Sequence, residues 1–308
     1  MNHLSIRLSI LVIILFGCAD KPDYLKELSI FEDTVLREVY QAAYERDTSA
    51  VLAFTQHETP AYRSAAAKLF GSLNSGNCPE EIQELLTDPI PYVRLYAAFA
   101  VGQSYDQEAL PALEKAMKKA TIPEIKAELL EAIGKCAEEN AMEFLVYHNP
   151  NTSIEEVGKL RGIYRGALKG LLRQSHVPTV VAHLSANEAE TRKVAAEILI
   201  RQRKTQIQSI AEDVRSLYER ESEPIVKTLL IRLMDKCEVK DEFFIGILEK
   251  EADPLIRTEA IRSIEDPKPI QETLEEIATT EEPWPAATAA NKLAEIDSIS
   301  LNQATVNE

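Results

Sequence analysis

Three stretches of this chain lie over one another: PAYRSAAAKLFG (60–71), PYVRLYAAFAVG (91–102) and PEIKAELLEAIG (123–134). Each opens on proline, carries a basic residue three positions later (Arg63, Arg94, Lys126) and closes on a glycine eight positions after the base (Gly71, Gly102, Gly134). Spacings of 31 and 32 residues define an internal repeat, and a unit that short cannot bury its apolar face alone; it must stack on its neighbours. In the second copy Val93, Ala97, Ala100 and Val101 recur at i, i+4, i+7 and i+8, one face of a helix. Upstream, PEEIQELLTD (79–88) places Ile82, Leu85 and Leu86 at i, i+3 and i+4, so a shorter amphipathic helix precedes the longer one. The repeating unit is a helical hairpin, and its alanines allow close approach between neighbours.

Later copies are looser. ETRKVAAEILI (190–200), PIVKTLLIRLM (224–234), PLIRTEAIRSI (254–264) and WPAATAANKLA (284–294) keep the helical pattern, and the base recurs at Arg192, Lys227 and Arg257, but the closing glycine is gone. Between them IEEVGKLRGIYRGALKG (154–170) is helical in period with its register open. Prolines 60, 91, 123, 224 and 254 stand at the heads of these segments, where the missing N–H would be unpaired anyway. The sequence predicts an all-α fold of about eight hairpins over residues 34–297, followed by a polar tail, 298–308.

The pattern D-P-x-P-x-V-R-x-x-A-A-x-A-x-G at Asp88–Gly102, echoed as DPLIR at Asp253–Arg257, resembles the HEAT-repeat family, particularly its short, Ala-rich bacterial kind. The resemblance covers most of the chain and is strongest in the first three copies. It implies a right-handed α-solenoid with an extended concave surface suited to a protein or peptide partner. It also implies a ladder in which a turn Asp and a helix Arg of neighbouring repeats pair, a structural role that falls here on Asp88, Arg94, Asp253 and Arg257. Tyr62, Tyr92 and Tyr96, in the second helices of the first repeats, are the candidates for partner contact. Trp284 opens the last hairpin and reads as a capping or packing aromatic, with a binding anchor as the alternative.

The first residues follow a different logic. MNHLSIRLSILVIILFG has one positive charge, Arg7, then an apolar run too short to span a bilayer, ending in Leu15-Phe16-Gly17-Cys18. This ending resembles the lipobox of bacterial lipoproteins, apart from the bulky Phe16. The resemblance implies that residues 1–17 are a removed signal peptide, that Cys18 carries lipid, and that residues 18–33 tether the array to a membrane of the bacterial cell envelope on its extracytoplasmic side. Several acyl chains, at about 0.8 kcal/mol per buried CH₂, hold a protein at a bilayer without a transmembrane helix. Three thiols would remain, Cys78, Cys136 and Cys237, an odd number that favours buried free cysteines over a disulfide set.

Chemistry is harder to find. Lys+Arg number 34 against 50 Asp+Glu, a net charge of −16 whose field repels phosphate backbones, so nucleic acid is not an expected partner. No GxSxG, HExxH, GxxxxGK[ST] or GxGxxG string occurs, and His176 and His183, seven apart, lack a carboxylate or cysteine to complete a metal set. No catalytic, cofactor or metal residue is expected, and the sequence reads as a non-catalytic scaffold. Two further resemblances are weaker. Similar arrays accompany cyclophilin-type prolyl cis-trans isomerase domains in some exported bacterial proteins. Residues 18–308 contain no cyclophilin-like stretch, so that relationship would make this chain a recognition arm or fragment of such an enzyme. Short HEAT-like repeats also occur in phycobilin lyases and in an iron hydroxylase, whose paired His-Glu motifs are missing here.

Overall fold

A computed structural model describes residues 32–73, 76–281 and 283–306, with side chains to Ile296. Residues 1–17, Cys18 and the tether as far as residue 31 lie outside the described residues. The fold is an all-α solenoid, with no strand among the described residues.

Contacts divide the chain into two compact units, one ending at Cys136 and one beginning at Ala137. The division follows the third hairpin, where the proline-base-glycine pattern also ends. Among the described residues the first unit holds α1 (Thr34–Tyr44) and then three hairpins: α2 (Thr48–Leu52) with α3 (Pro60–Leu73), α4 (Glu80–Glu84) with α5 (Pro91–Ser104), and α6 (Leu110–Lys119) with α7 (Pro123–Cys136). The second unit holds five: α8 (Glu139–Tyr147) with α9 (Ser153–Leu168), α10 (Val177–Ala182) with α11 (Ala189–Ile200), α12 (Ala211–Tyr218) with α13 (Pro224–Lys236), α14 (Asp241–Lys250) with α15 (Pro254–Ser263), and α16 (Gln271–Thr280) with α17 (Pro283–Val306). Within each unit the second helices stack directly, α3 on α5 on α7, and α9 on α11 on α13 on α15 on α17.

Local chemistry sets the boundaries. Pro60, Pro91, Pro123, Pro224 and Pro254 each stand at the first helical position. The carboxylates of Asp33, Asp47 and Asp253 cap α1, α2 and α15 by accepting backbone N–H bonds from Leu36, Ala50, and Leu255 with Ile256. In α9 the register left open by the sequence resolves with Ser153 in the proline position and Glu156 in the place of the base. Past 297 the segment SISLNQATV lacks proline and glycine to stop a helix, and α17 runs on to Val306.

The core follows the helical periodicity. Val93, Ala97, Ala100 and Val101 are fully buried, as are Phe70, Ile82, Leu113 and Ile133 in the first unit and Met142, Leu160, Ile163 and Phe244 in the second. The closing glycines have a reason other than helix termination. Gly71 and Gly102 lie inside the last turn of α3 and α5, neither in a left-handed conformation, packed against the next second helix. A Cβ on Gly102 would sit 3.0 Å from both Cα and Cβ of Ala132; one on Gly71 would sit 2.8 Å from the ring of Phe99 and 3.0 Å from Cα of Ala100.

Cys78, Cys136 and Cys237 are buried free thiols. Burial pushes Cys78 up to about 12 and Cys237 up to about 11, well above an ordinary thiol. Both should therefore resist iodoacetamide at pH 8 in the native protein and react on unfolding in urea, with peptide mass spectrometry reading the difference.

Candidate functional site

The basic residue of the repeat does the same work wherever its partner is present. In the first hairpin Nη1 of Arg63 donates to the carbonyls of His57 and Glu58, the turn leading into its own helix. Its Nε and Nη2 then donate in parallel to the two oxygens of Asp88 in the next hairpin, at 2.7 and 3.0 Å. Arg192 repeats the geometry, with Nη1 on the carbonyls of Ala186 and Asn187 and Nε and Nη2 on Glu221 at 2.7 and 2.8 Å. Arg257 keeps the fork, with Nε and Nη2 on Glu281, but its Nη1 donates to the carbonyl of Glu251 and to that of Leu248 inside α14 instead of to two turn carbonyls. Lys227, a point charge rather than a fork, makes one bond to Glu251 at 2.5 Å, and the Tyr218 hydroxyl donates to the same carboxylate at 3.0 Å.

These rungs are substantially buried, the side chains of Asp88 and Glu221 being 5% and 4% exposed. The acid also fastens its own turn. Asp88 accepts from the Ile90 N–H, and Glu221 from the N–H groups of Ser222 and Glu223. Burial pushes the Glu221 carboxyl up, but the Arg192 hydrogen bonds and these backbone donors outweigh it and hold it below the usual carboxylate range.

The four residues singled out from the sequence for this ladder have different roles. Asp88 joins Arg63, and Arg257 joins Glu281. Asp253 caps α15, and the acid of its hairpin that faces the preceding repeat is Glu251. The two Asp-Pro pairs are not equivalent: Pro89 lies in the turn ahead of α5, whereas Pro254 is the first residue of α15, which moves its aspartate to the cap. Arg94 donates through Nη1 to the carbonyls of Asp88 and Pro89, at 2.7 and 3.0 Å, and its other edge meets no acceptor among the described residues.

A second set of contacts joins successive second helices, some along their length and some at their C-terminal ends. Lys68 stands 5.5 Å from the centre of the Tyr96 ring and Lys135 5.8 Å from that of Phe99, while in the other unit Arg201 caps the Tyr164 ring at 4.9 Å and Arg232 forks onto Glu259 at 2.7 and 2.9 Å. The three tyrosines proposed for partner contact are half-buried. Tyr62 donates its hydroxyl to Asp33 at 2.7 Å and meets the His57 ring edge-on, which commits it to holding α1 against the first hairpin. That bond raises the Tyr62 hydroxyl above its ordinary value, while the Leu36 N–H and Tyr62 together lower the Asp33 carboxyl.

A row of exposed apolar side chains on the second helices was missed by the sequence reading, apart from Trp284. Ile225, Leu255 and Trp284 each follow the opening proline of α13, α15 and α17, three helices stacked in succession, and are 57%, 40% and 64% exposed. The packing role read for Trp284 does not fit that exposure. The signal was in the sequence, as PI, PL and PW at one repeat register, but an apolar residue there reads as core until the helix phase is known. Among the described residues no helix is long and apolar enough to cross a membrane, and no group of three His, Cys, Asp or Glu is placed to hold a metal ion.

Residues 48–134 match the family model for HEAT repeats. Among solved structures, the chain is similar to an engineered protein, with 17% identity over 89% of this chain and 86% of that one and a TM-score of 0.48. It is also similar to the complex of CpcE and CpcF of phycocyanin lyase from Nostoc sp. PCC7120, with 19% identity over 80% of this chain and 94% of that one and a TM-score of 0.45. No curated protein matches significantly.

Proposed function

From the premise of an all-α solenoid with HEAT repeats over residues 48–134, we propose that this protein is a non-catalytic scaffold. In this reading it is anchored by lipid on Cys18 at the extracytoplasmic face of a bacterial envelope membrane and holds a protein or peptide partner on its second helices. The observation that carries the binding half is the row Ile225, Leu255 and Trp284, three large apolar side chains held in register and left in water. Contiguous exposed apolar surface marks interaction sites, and tryptophan is among the residue types most enriched where interface energy concentrates. The anchoring half is supported by the apolar run and Leu15-Phe16-Gly17-Cys18.

Two measurements test the halves separately. Mass spectrometry of the mature N-terminus should find acylated Cys18, and Cys18→Ala should move the protein from the membrane to the soluble fraction; an unmodified Cys18 in membrane-bound protein would remove the anchor. A photo-crosslinking amino acid at Leu255 should give one reproducible adduct of fixed mass in envelope preparations, lost in the Ile225→Ser, Trp284→Ala double variant. Adducts that survive that double variant would remove the apolar row as the contact.

A further inference from the structure

The ladder of the first unit has a vacancy. Arg94 occupies the same place in its hairpin as Arg63 and Arg192 do in theirs, with Nη1 on the carbonyls six and five residues before it in all three. Arg63 and Arg192 then turn Nε and Nη2 onto a carboxylate three residues ahead of the next second helix, Asp88 before Pro91 and Glu221 before Pro224. Three residues ahead of Pro123 stands Ala120. Where the acid would be there is a cavity of about 270 Å³, lined by the apolar side chains of Leu86, Ala116, Ile125 and Leu129 and by Arg94 and Lys119. Asp88 also borders it, but its oxygens are taken by Arg63 and the Ile90 N–H.

We infer that this cavity binds a carboxylate supplied from outside, the side chain of an Asp or Glu in a partner peptide, which completes the rung by accepting in parallel from Nε and Nη2 of Arg94. The guanidinium is already immobilised through Nη1, so a ligand does not have to order it, and its free edge presents two donors at the spacing of a carboxylate. The apolar wall receives the methylene of the acidic side chain, and Lys119 adds a second positive charge at the rim. One arginine and one exposed lysine on a chain of net charge −16 suit a single negative charge better than a phosphate dianion. The choice of a peptide as the carrier rests on the scaffold reading above; the open rung does not.

The test uses the purified full chain in detergent with ¹⁵N-labelled arginine. The Arg94 Nε–H resonance, assigned by its loss in Arg94→Gln, is followed while acetyl-Ala-Asp-Ala-amide is added. A saturable shift at millimolar peptide is expected at Arg94 and not at Arg63 or Arg192, with no shift from the Asn counterpart. Ala120→Asp puts the acid into the chain itself; it should raise the thermal midpoint by about 2 °C and abolish the response to peptide. An unresponsive Arg94 would overturn the proposal, as would equal shifts from the Asp and Asn peptides or saturation by inorganic phosphate at lower concentration than by the Asp peptide. Because the titration needs neither the envelope nor Leu255, it can succeed or fail independently of the crosslinking result.

Discussion

Gly102→Val should be among the most damaging single changes in the first unit, lowering stability by about 3 kcal/mol. The first added carbon alone falls 3.0 Å from the backbone Cα and the Cβ of Ala132, on a neighbouring helix rather than on a side chain that could swing away. Valine adds two further methyls at a point where α5 and α7 already touch. Urea unfolding followed by circular dichroism would read the loss, and Gly246→Ala supplies the control. Gly246 lies in α14, a Cβ there meets nothing within 4 Å, and removing a helical glycine should stabilise by about 1 kcal/mol. Opposite signs for the two substitutions separate close packing from helix propensity; loss of stability in both would refute the packing argument.

Arg192→Ala should cost about 3 kcal/mol at pH 7, because it leaves the Glu221 carboxylate, 4% exposed, without its main partner. The pH dependence gives the stronger test. In the native protein the Glu221 carboxyl is held below its unfolded value, so its contribution is present above the ordinary carboxylate range and is lost as pH falls through the depressed folded value. Once Arg192 is gone, burial, the largest single influence on Glu221, is opposed only by the Ser222 and Glu223 N–H donors, and the carboxyl rises. The variant should then recover part of its deficit when acidified from pH 7 to about pH 5, as the carboxyl takes up its proton. A deficit that stayed constant over this interval would mean the rung contributes packing rather than charge pairing. Adding Glu221→Gln to Arg192→Ala should restore stability at pH 7 relative to the single variant, since a neutral amide can be buried at lower cost.

The sequence disclosed the array because its signals are local. Proline at the first helical position, a base three residues on and small residues at helical spacing all act within one helix, and every helix start they marked in the first three copies is present. Side-chain partnerships across hairpins were less legible. Asp253 was read as a ladder acid from its resemblance to Asp88, but one proline of shift places it at a cap, and the rung falls to Glu251 two residues earlier. The open rung at Arg94 could be seen only by asking what stands opposite, since the motif around the arginine itself is complete. Exposure was the least legible property: nothing local distinguishes Ile225 from the buried Val226 beside it until the phase of α13 is fixed.

The rung has a bearing on how such a chain can lengthen. Most hairpins carry a base that reaches forward and a turn that can carry an acid reaching back, and the separations between partners, 25 residues for Arg63 and Asp88 and 29 for Arg192 and Glu221, are close to one repeat. A segment of that length copied in frame brings both halves of the lock with it, so duplication extends the stack without separate invention of a joint. The same property makes Ala120 a site where a single codon decides whether two neighbours are fastened by the chain itself or by something it binds.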